Sequence, residues 1–555
     1  MTEEEQLATK INDRDWRLNH LYWIQDQNGK KVKFRMNWAQ RYFFDSIWYL
    51  NEILKVRQIG ISTLTGILQL DHALFNKEQT CGLIDRTDLD AKRKMQKIRY
   101  AYDHLDDPDD PTTAALGALV KEEVQLKTQN EHEISFTNGS KLWGGTSLRG
   151  STVNFLHVSE LGYIAHFDPK RAAEIASGCF NTVHAGNLII VEATHEGGRY
   201  GLNYELVRQS QRFNEETATP LDWKFHFFPW WGERNYQMEP VGQFIIPEKL
   251  NNYFERLENS CGITLSPSQK FWYFKKQQSP KVDMARQYPG TAEEALAALT
   301  EGAIYGNQIA ELRAMGRVRD FARVDDAPLF TSWDLGQSDY HAIWLLQLKG
   351  MDILALDYWT GQRATPGELA AHIAGWERSY KRPVAMNYLP HDAGSTMQNS
   401  KNMQQTLAET GLTNLTIVPR TPDVWVGIKH LRALLPSFYF HATNCERETE
   451  SNDGRLMPSG LGALEGYHQK VEMVGGRIVE TPEHDPASHG CDGLRTFAEA
   501  HQRGMINQLL SNQPGAISVY GRAKRFRKTE PKRGIRTPHT KKDRSGSRTT
   551  RRLRG

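Results

Sequence analysis

Residues Glu52 to Phe75 read EILKVRQIGISTLTGILQLDHALF, an apolar strand that runs through a short Gly-containing turn straight into an amphipathic helix. That is the layout of a phosphate-binding loop. Backbone N–H groups at the start of such a helix have no partner within it, and the positive end of the helix dipole adds to their attraction for phosphate. Gln58, Gly60 and Ile61 would supply the loop backbone, and the Ser62 or Thr63 hydroxyl would reach a magnesium ion. The pattern G-x-x-x-x-G-K-[ST] is broken twice, because Lys55 takes the first Gly position and Ile61 the Lys position. By itself, therefore, the loop also reads as an ordinary strand-turn-helix corner.

Working outward, KFRMNWAQRYFFDSIWYL (Lys33–Leu50) is helix-like and aromatic, with Gln40 20 residues before Gly60. A Gln so placed can read an adenine edge by accepting one hydrogen bond and donating another. Thr80–Ile84 reads as a buried strand and Leu89–Leu105 as a helix. ISFTNGSKLWGG (Ile134–Gly145) is a hairpin turning on Asn138-Gly139. VNFLHV (Val153–Val158) is a strand that delivers Ser159 and Glu160, and NLIIV (Asn187–Val191) one that delivers Glu192-Ala193-Thr194. Strands alternating with helices predict a mainly parallel sheet with helices on both faces, and ligands bind such sheets at the carboxyl ends of the strands. Arg57, Glu160 and Thr194 would converge there. A carboxylate at Glu160 can orient and deprotonate an attacking water. Ser159 stands where an acid would support the metal.

Further along, FHFFPWWGERNY and YPGTAEEALAAL mark a change of character between 221 and 299, expected as a lid and linker whose aromatics form core. From Leu329, three strand-like runs separated by turns form a meander: LFTSWDLG, HAIWLLQLKG and MDILALDYWT. A helix (Pro366–Tyr380), a strand ending in LPHDAG, a helix (Met397–Thr410) and the short strand LTIVP come next. This is the element order of an RNase H-like fold. Asp334 lies in the first strand, Asp392 follows the fourth, and Asp492, Thr496 and Glu499 share a helical face in SHGCDGLRTFAEA. Oxygen-only ligands suit hard cations.

Six motifs in this order resemble the large subunit of tailed-bacteriophage terminases over about Lys33 to Ala500: KVRQIGIST, SLRGSTVNFLHVSE, IIVEAT, SWDLG, LPHDAG and SHGCDGLR. The resemblance implies an ATP-driven motor for double-stranded DNA joined to an endonuclease that cuts concatemers. Its fold would be a P-loop NTPase domain followed by an RNase H-like nuclease domain. It makes the deviant loop expected, with Lys55 and Arg57 as contacts for the β- and γ-phosphates. It implies Arg149 as an arginine finger, Glu192, Ala193 and Thr194 as the coupling segment, and Asp334, Asp392 and Asp492 as ligands of two Mg2+ or Mn2+ ions. ATP with Mg2+ would occupy the first site. His489, Asp485 and His391 would support the metal ligands. Implied partners are a small terminase subunit and a portal protein carrying about five copies in the host cytoplasm, transiently on the procapsid. A helicase or repair ATPase with a nuclease, or a non-catalytic DNA-docking scaffold, remain the alternatives.

Composition fits a large globular chain. At 555 residues it exceeds one core, and the expected division is an arm (1–30), an ATPase domain (31–220), a lid and linker (221–320), a nuclease domain (321–505) and a basic tail (506–555). No run reaches the roughly 20 apolar residues of a membrane span, so no membrane is expected as a partner. Five scattered cysteines without C-x-x-C spacing argue against a disulfide framework and a structural zinc. Gly521–Gly555 holds 15 Lys and Arg against Glu530 and Asp543, a local +13, which leaves the other 520 residues at −10 in a chain of net +3. A polycation so poor in apolar residues is expected to be disordered and to bind nucleic acid or an acidic surface.

Overall fold

The apolar run before the glycine turn does form a strand, and the helix Ile61–Phe75 begins at Gly60, whose φ of +83° places it in the left-handed region. A computed structural model describes residues 9–148, 152–196, 198–242, 244–280, 283–298, 302–336, 340–395, 401–450, 456–474 and 477–506. Arg149 and the basic tail lie outside the described residues. The chain divides into two units, Met1–Gln502 and Arg503–Gly555, and both large sheets lie in the first.

A hairpin of β1 (Trp23–Gln25) and β2 (Lys31–Lys33) precedes the first large sheet. That sheet contains β3 (Leu50–Lys55), β4 (Thr80–Ile84), β5 (Leu126–Gln129), β6 (Glu133–Phe136), β7 (Lys141–Gly145), β8 (Phe155–Ser159), β9 (Leu188–Ala193) and β10 (Trp223–Phe228), in the spatial order β10-β3-β9-β8-β4-β7-β6-β5. The six strands from β10 to β7 are parallel, and β6 and β5 add antiparallel at one edge. Central strands of a sheet covered on both faces bury every side chain, as β3 from Asn51 to Lys55 does. The hairpin turns at Gly139, φ +85°. β10 lies past the sequence-based boundary at 220, yet it pairs with β3 from Trp223↔Leu50 to Phe228↔Lys55. The aromatic cluster after it packs as core, with Trp230 fully buried against Phe254 and Tyr273.

The amino-terminal segment is pinned to this core. The Arg17 guanidinium and the Tyr22 hydroxyl both donate to the buried Asp71 carboxylate on the helix Ile61–Phe75, at 2.8 Å.

The second sheet is built from β11 (Leu329–Leu335), β12 (Tyr340–Lys349), β13 (Asp352–Gln362), β14 (Val384–Leu389), β15 (Leu415–Ile417) and β16 (Phe438–Phe440), in the order β15-β14-β11-β12-β13-β16. The meander β11-β12-β13 is antiparallel, while β14, β15 and β16 join in parallel. The fold class is therefore α/β throughout, as the order of runs predicts. The helix Pro366–Tyr380 starts from a Thr365–Glu368 capping box. The next helix is shorter than expected, Met403–Glu409, since its Asn402 cap sets the start. The long helix Pro486–Gln502 crosses β11 and β12. A Cβ on Gly490 would lie 2.7 Å from Ala463 Cβ, so glycine there permits the close approach of the helix Gly460–Gly466. Two short hairpins complete the unit, β17 (Thr449–Glu450) with β18 (Leu456–Met457) and β19 (Gln469–Val474) with β20 (Arg477–Pro482). Among the described residues, no helix is long and apolar enough to cross a membrane. All five cysteines are free thiols and four are buried.

Candidate functional site

The spatial order β3-β9-β8 brings Lys55, Glu192 and Glu160 together although they are far apart in sequence. Lys55 Nζ is 3.6 Å from Glu192 Oε2 and 3.9 Å from Glu160 Oε1. Glu192 is wholly buried and accepts from His157 Nε2 and Ser159 Oγ, each at 3.1 Å. Ser159 Oγ in turn accepts from Lys94 Nζ at 2.7 Å, and Lys94 also contacts the buried Asp85. The result is an alternating cation–anion chain running from Lys55 to Asp85. Burial works against the Lys55 ammonium, but Glu192 and Glu160 outweigh it and raise its pKa. Burial pushes Glu192 up, but Lys55 and His157 hold it well below the usual carboxylate range. Asp85 is raised by burial, against the pull of Lys94.

Glu160 adopts φ +61°, ψ +39° at the junction between β8 and the helix Leu161–Phe167. Its N–H donates to the Glu192 carbonyl at 2.7 Å. A left-handed glutamate is a strained backbone that the surrounding sheet must hold, and such strain concentrates at functional positions. Gln58, at φ +59°, is a second instance in the same loop.

The helix start at Gly60, Ile61 and Ser62 has no side-chain cap, so its N–H groups point outward in the manner a phosphate requires. Ser62 and Thr63 occupy the first turn, half-buried, and Arg57 and Gln58 are exposed in the loop. Gln40 is turned inward. Its amide N–H donates to the Gly60 carbonyl at 2.8 Å, and its oxygen accepts from the Asn37 N–H at 2.9 Å. Asn37 Nδ2 donates to the Ile59 carbonyl. Both hydrogen-bonding ends of Gln40 are thus engaged in bracing the loop. The orphan N–H groups and the cation beside two carboxylates fit a nucleotide phosphate with its metal.

Thr194 continues β9, and its hydroxyl donates to Glu196 at 3.2 Å; Glu196 pairs with Arg286 at 3.3 Å. Ala193 is buried beside Gly162, where a Cβ would fall 2.1 Å from the Thr194 carbonyl. The segment is therefore packed directly against the Glu160 helix. Sequence reasoning named the strand ends but missed Lys94, Asp85, His157, Glu196 and Arg286. Only the charge at Lys94, in the second turn of the helix Asp88–Asp103 that follows β4, offered a signal.

In the second sheet, Asp334 on β11 accepts from His489 Nδ1 at 2.8 Å. Asp392 stands in the short turn His391–Gly394 after β14, and Asp492 on the helix Pro486–Gln502 pairs with Arg495 at 3.0 Å. Burial, then the charge of Asp334, raises Asp392. Burial and Asp334 push Asp492 up to about 6, against the opposing pull of Arg495. Among the described residues, no three His, Cys, Asp or Glu side chains form a ready metal cage. The three aspartates instead share a mutually repulsive field centred on Asp334. Asp392 Oδ1 is buried and accepts no hydrogen bond, whereas the buried Asp492 Oδ1 has the Arg495 guanidinium beside it at 3.0 Å. Such oxygen acceptors fit a hard divalent cation, which would offset the repulsion.

Glu499, on the same helix as Asp492, is buried, accepting from Thr421 Oγ1 at 2.5 Å and contacting His430 Nδ1 at 3.0 Å. Asp485 is also buried and bonds to Tyr200 and Ser488 at the head of the helix. His391 is exposed beside Asp392 and lowers its pKa in opposition to burial. Asp357 is fully engaged by Arg447, Trp376 and the Tyr358 N–H.

No family model and no curated protein matches the chain. Solved structures do. The large terminase of a thermophilic bacteriophage is similar at 12% identity, covering 83% of this chain and 98% of that one, with a TM-score of 0.28. The large terminase ATPase domain of Thermus phage P74-26 is similar at 12% identity over 46% of this chain and 94% of its own, TM-score 0.30. The cobalt-bound large terminase nuclease of thermophilic phage G20c is similar at 14% identity over 33% of this chain and 91% of its own, TM-score 0.23. At these scores the functional reading is carried by the chain's own residues.

Proposed function

We propose that the chain is a terminase large subunit of the tailed-bacteriophage kind, hydrolysing ATP to move double-stranded DNA into a procapsid and cutting concatemeric DNA with a divalent metal. The observation that carries the reading is the buried Lys55 ammonium lying between Glu192 and Glu160 at three adjacent strand ends, beside an uncapped helix start. Burying Lys55 and Glu192 is costly unless each charge is paired, and the half-buried Glu160 leaves the pair open on one side.

At the first site, the N–H groups of Gly60, Ile61 and Ser62 hold phosphate oxygens, and Lys55 and Arg57 neutralise charge on the β- and γ-phosphates. Glu160 orients water and accepts its proton. Ser62 or Thr63 would hold Mg2+. Gln40 fixes the loop that carries these donors, Arg149 serves as the arginine finger, and the segment Glu192-Ala193-Thr194 passes on the change in charge at Lys55. At the second site, Asp334, Asp392 and Asp492 would hold two Mg2+ or Mn2+ ions, with His489 orienting Asp334. Bound there, such ions activate a water and stabilise the leaving 3′ oxygen. The small subunit, the portal, an assembly of about five copies, action in the host cytoplasm and DNA contact by the basic tail belong to the same proposal.

Phosphate release and manganese-dependent plasmid cleavage test it together. Glu160→Gln is expected to lower ATP hydrolysis by about 10²-fold or more. Asp392→Ala is expected to abolish cleavage and leave hydrolysis intact. A wild-type protein with neither activity would identify a docking scaffold instead.

A further inference from the structure

Tyr200 follows Thr194 by six residues, just before the helix Leu202–Ser210, and reaches across to the second sheet's helix. Its hydroxyl donates to Asp485 Oδ2 at 2.9 Å and lies 3.1 Å from the Gly466 carbonyl. The ring fills the space beside Gly466, where a Cβ would meet Tyr200 Cε1 at 2.1 Å. Asp485 Oδ1 accepts the Ser488 N–H at 3.0 Å, so the same carboxylate caps the first turn of Pro486–Gln502. That helix carries His489 and Asp492.

A second path ends on the same carboxylate. His166, in the last turn of the helix that Glu160 begins, packs its ring 4.5 Å from that of His468. His468 Nδ1 is 3.8 Å from Asp485 Oδ2. Both the strand end at Thr194 and the helix at Glu160 therefore reach one buried acid at the head of the nuclease helix. Two further polar contacts across this junction, Tyr204 with Glu448 and Arg208 with Glu448, end outside that helix.

We propose that Tyr200 and Asp485 are positioning residues that tie the nucleotide site to the helix bearing Asp492, so that nucleotide occupancy sets the placement of the metal-binding carboxylates. This rests on the ATPase and nuclease reading above. Displacement of Thr194 or of the Glu160 helix moves Tyr200 or His166. Asp485 then turns the first helical turn, and with it His489 against Asp334.

The test compares full-length wild type, Tyr200→Phe and Tyr204→Phe. Phe keeps the ring in place beside Gly466 and removes only the hydroxyl. Manganese-dependent plasmid cleavage is measured with and without a non-hydrolysable ATP analogue. The expected result is a rate ratio that departs from one by about fivefold or more in wild type and in Tyr204→Phe, as ordinary coupling between sites does, and that collapses to one in Tyr200→Phe. Cleavage without nucleotide and ATP hydrolysis should stay close to wild type in Tyr200→Phe. Hydrogen exchange of amides 486–502 gives a readout independent of DNA cutting: the analogue should change it in wild type and not in Tyr200→Phe. An exchange response confined to proteins with the Tyr200 hydroxyl, in a wild type that cuts no DNA, would uphold the link and overturn the nuclease assignment. An unchanged ratio and unchanged exchange response in Tyr200→Phe, or equal losses in Tyr204→Phe, would overturn the link.

Discussion

Glu192 and Asp492 are both carboxylates beside a sheet, the first wholly buried and the second half-buried, and they end with opposite protonation behaviour. Around Glu192 the chain supplies its own cations: Lys55 at 3.6 Å, and His157 and Ser159 as donors. Its pKa falls well below the usual range despite burial. Around Asp492 the chain supplies one arginine and a second acid, Asp334, and burial leaves the pKa near 6. The difference separates two chemistries. A site that binds a polyanion needs resident positive charge, whereas a site that binds a cation needs unsatisfied negative charge. Acidification therefore acts on them in opposite senses. Glu192 contributes stability that is present above its unfolded pKa of roughly 4.3 and is lost only as the pH falls through its lower folded value. Asp492 costs stability that is absent below its unfolded value of roughly 3.9 and grows until the pH passes about 6.

The largest expected effect comes from breaking the first site's compensation. Lys55→Met keeps the volume but leaves Glu192 buried beside Glu160 without its cation. Removing one partner of a buried ion pair costs ~3–5 kcal/mol. Denaturant unfolding at pH 7 should register that loss, and phosphate release should fall by about 10²-fold or more, the scale of losing a charge-stabilising group. A Lys55→Met protein as stable as wild type would mean that Glu192 is neutral and the contrast with Asp492 is false.

Next in size is the second site. In chelator-treated protein, Asp492→Asn should raise stability at pH 7.5 by ~3 kcal/mol, the scale of a shift from 3.8 to about 6. The gain should vanish below pH 4, where both proteins carry a neutral group at this position. Manganese should stabilise wild type against heating and barely affect Asp492→Asn. Equal manganese stabilisation of the two would remove Asp492 from the metal-binding set.

The same geometry explains how far these sites were legible. Strands such as Thr80–Ile84 announced themselves because apolar and β-branched runs bounded by turn residues were enough, and the helix Pro366–Tyr380 did so through its cap and spacing. Asp334, Asp392 and Asp492 were named through the resemblance carried by SWDLG, LPHDAG and SHGCDGLR, and Asp334 raises the pKa of the other two. Spatial order was not. β10 joins β3 although the other strands of the sheet and several helices intervene in sequence, and its aromatic run reads equally well as lid core. The Lys94–Ser159–Glu192 chain depends on strand adjacency that periodicity does not encode. Tyr200 and Asp485 meet across 285 residues, and nothing in the sequence around Tyr200 points to Asp485. Helical spacing tells that Glu499 shares a face with Asp492, not what covers it; here Thr421 and His430 do.

The smallest effect decides what Gln40 does. Position alone suggested an adenine reader, but the side chain spends its donor on the Gly60 carbonyl and its acceptor on the Asn37 N–H. Gly60 is also so close that a Cβ there would meet Gln40 Nε2 at 2.8 Å, which makes the two residues a fitted pair. Gln40→Ala would remove one hydrogen bond to the Gly60 carbonyl, which keeps those from the Thr63 and Leu64 N–H groups, costing about 1 kcal/mol locally. A brace holds the loop for any nucleoside triphosphate. It therefore predicts that kcat/KM for ATP and for GTP fall by the same factor, roughly fivefold to tenfold, as a loss of about 1 kcal/mol in loop placement implies. An adenine reader predicts that ATP falls and GTP does not. Steady-state hydrolysis of both nucleotides by wild type and Gln40→Ala separates the two, because only a group in contact with the base can change their ratio.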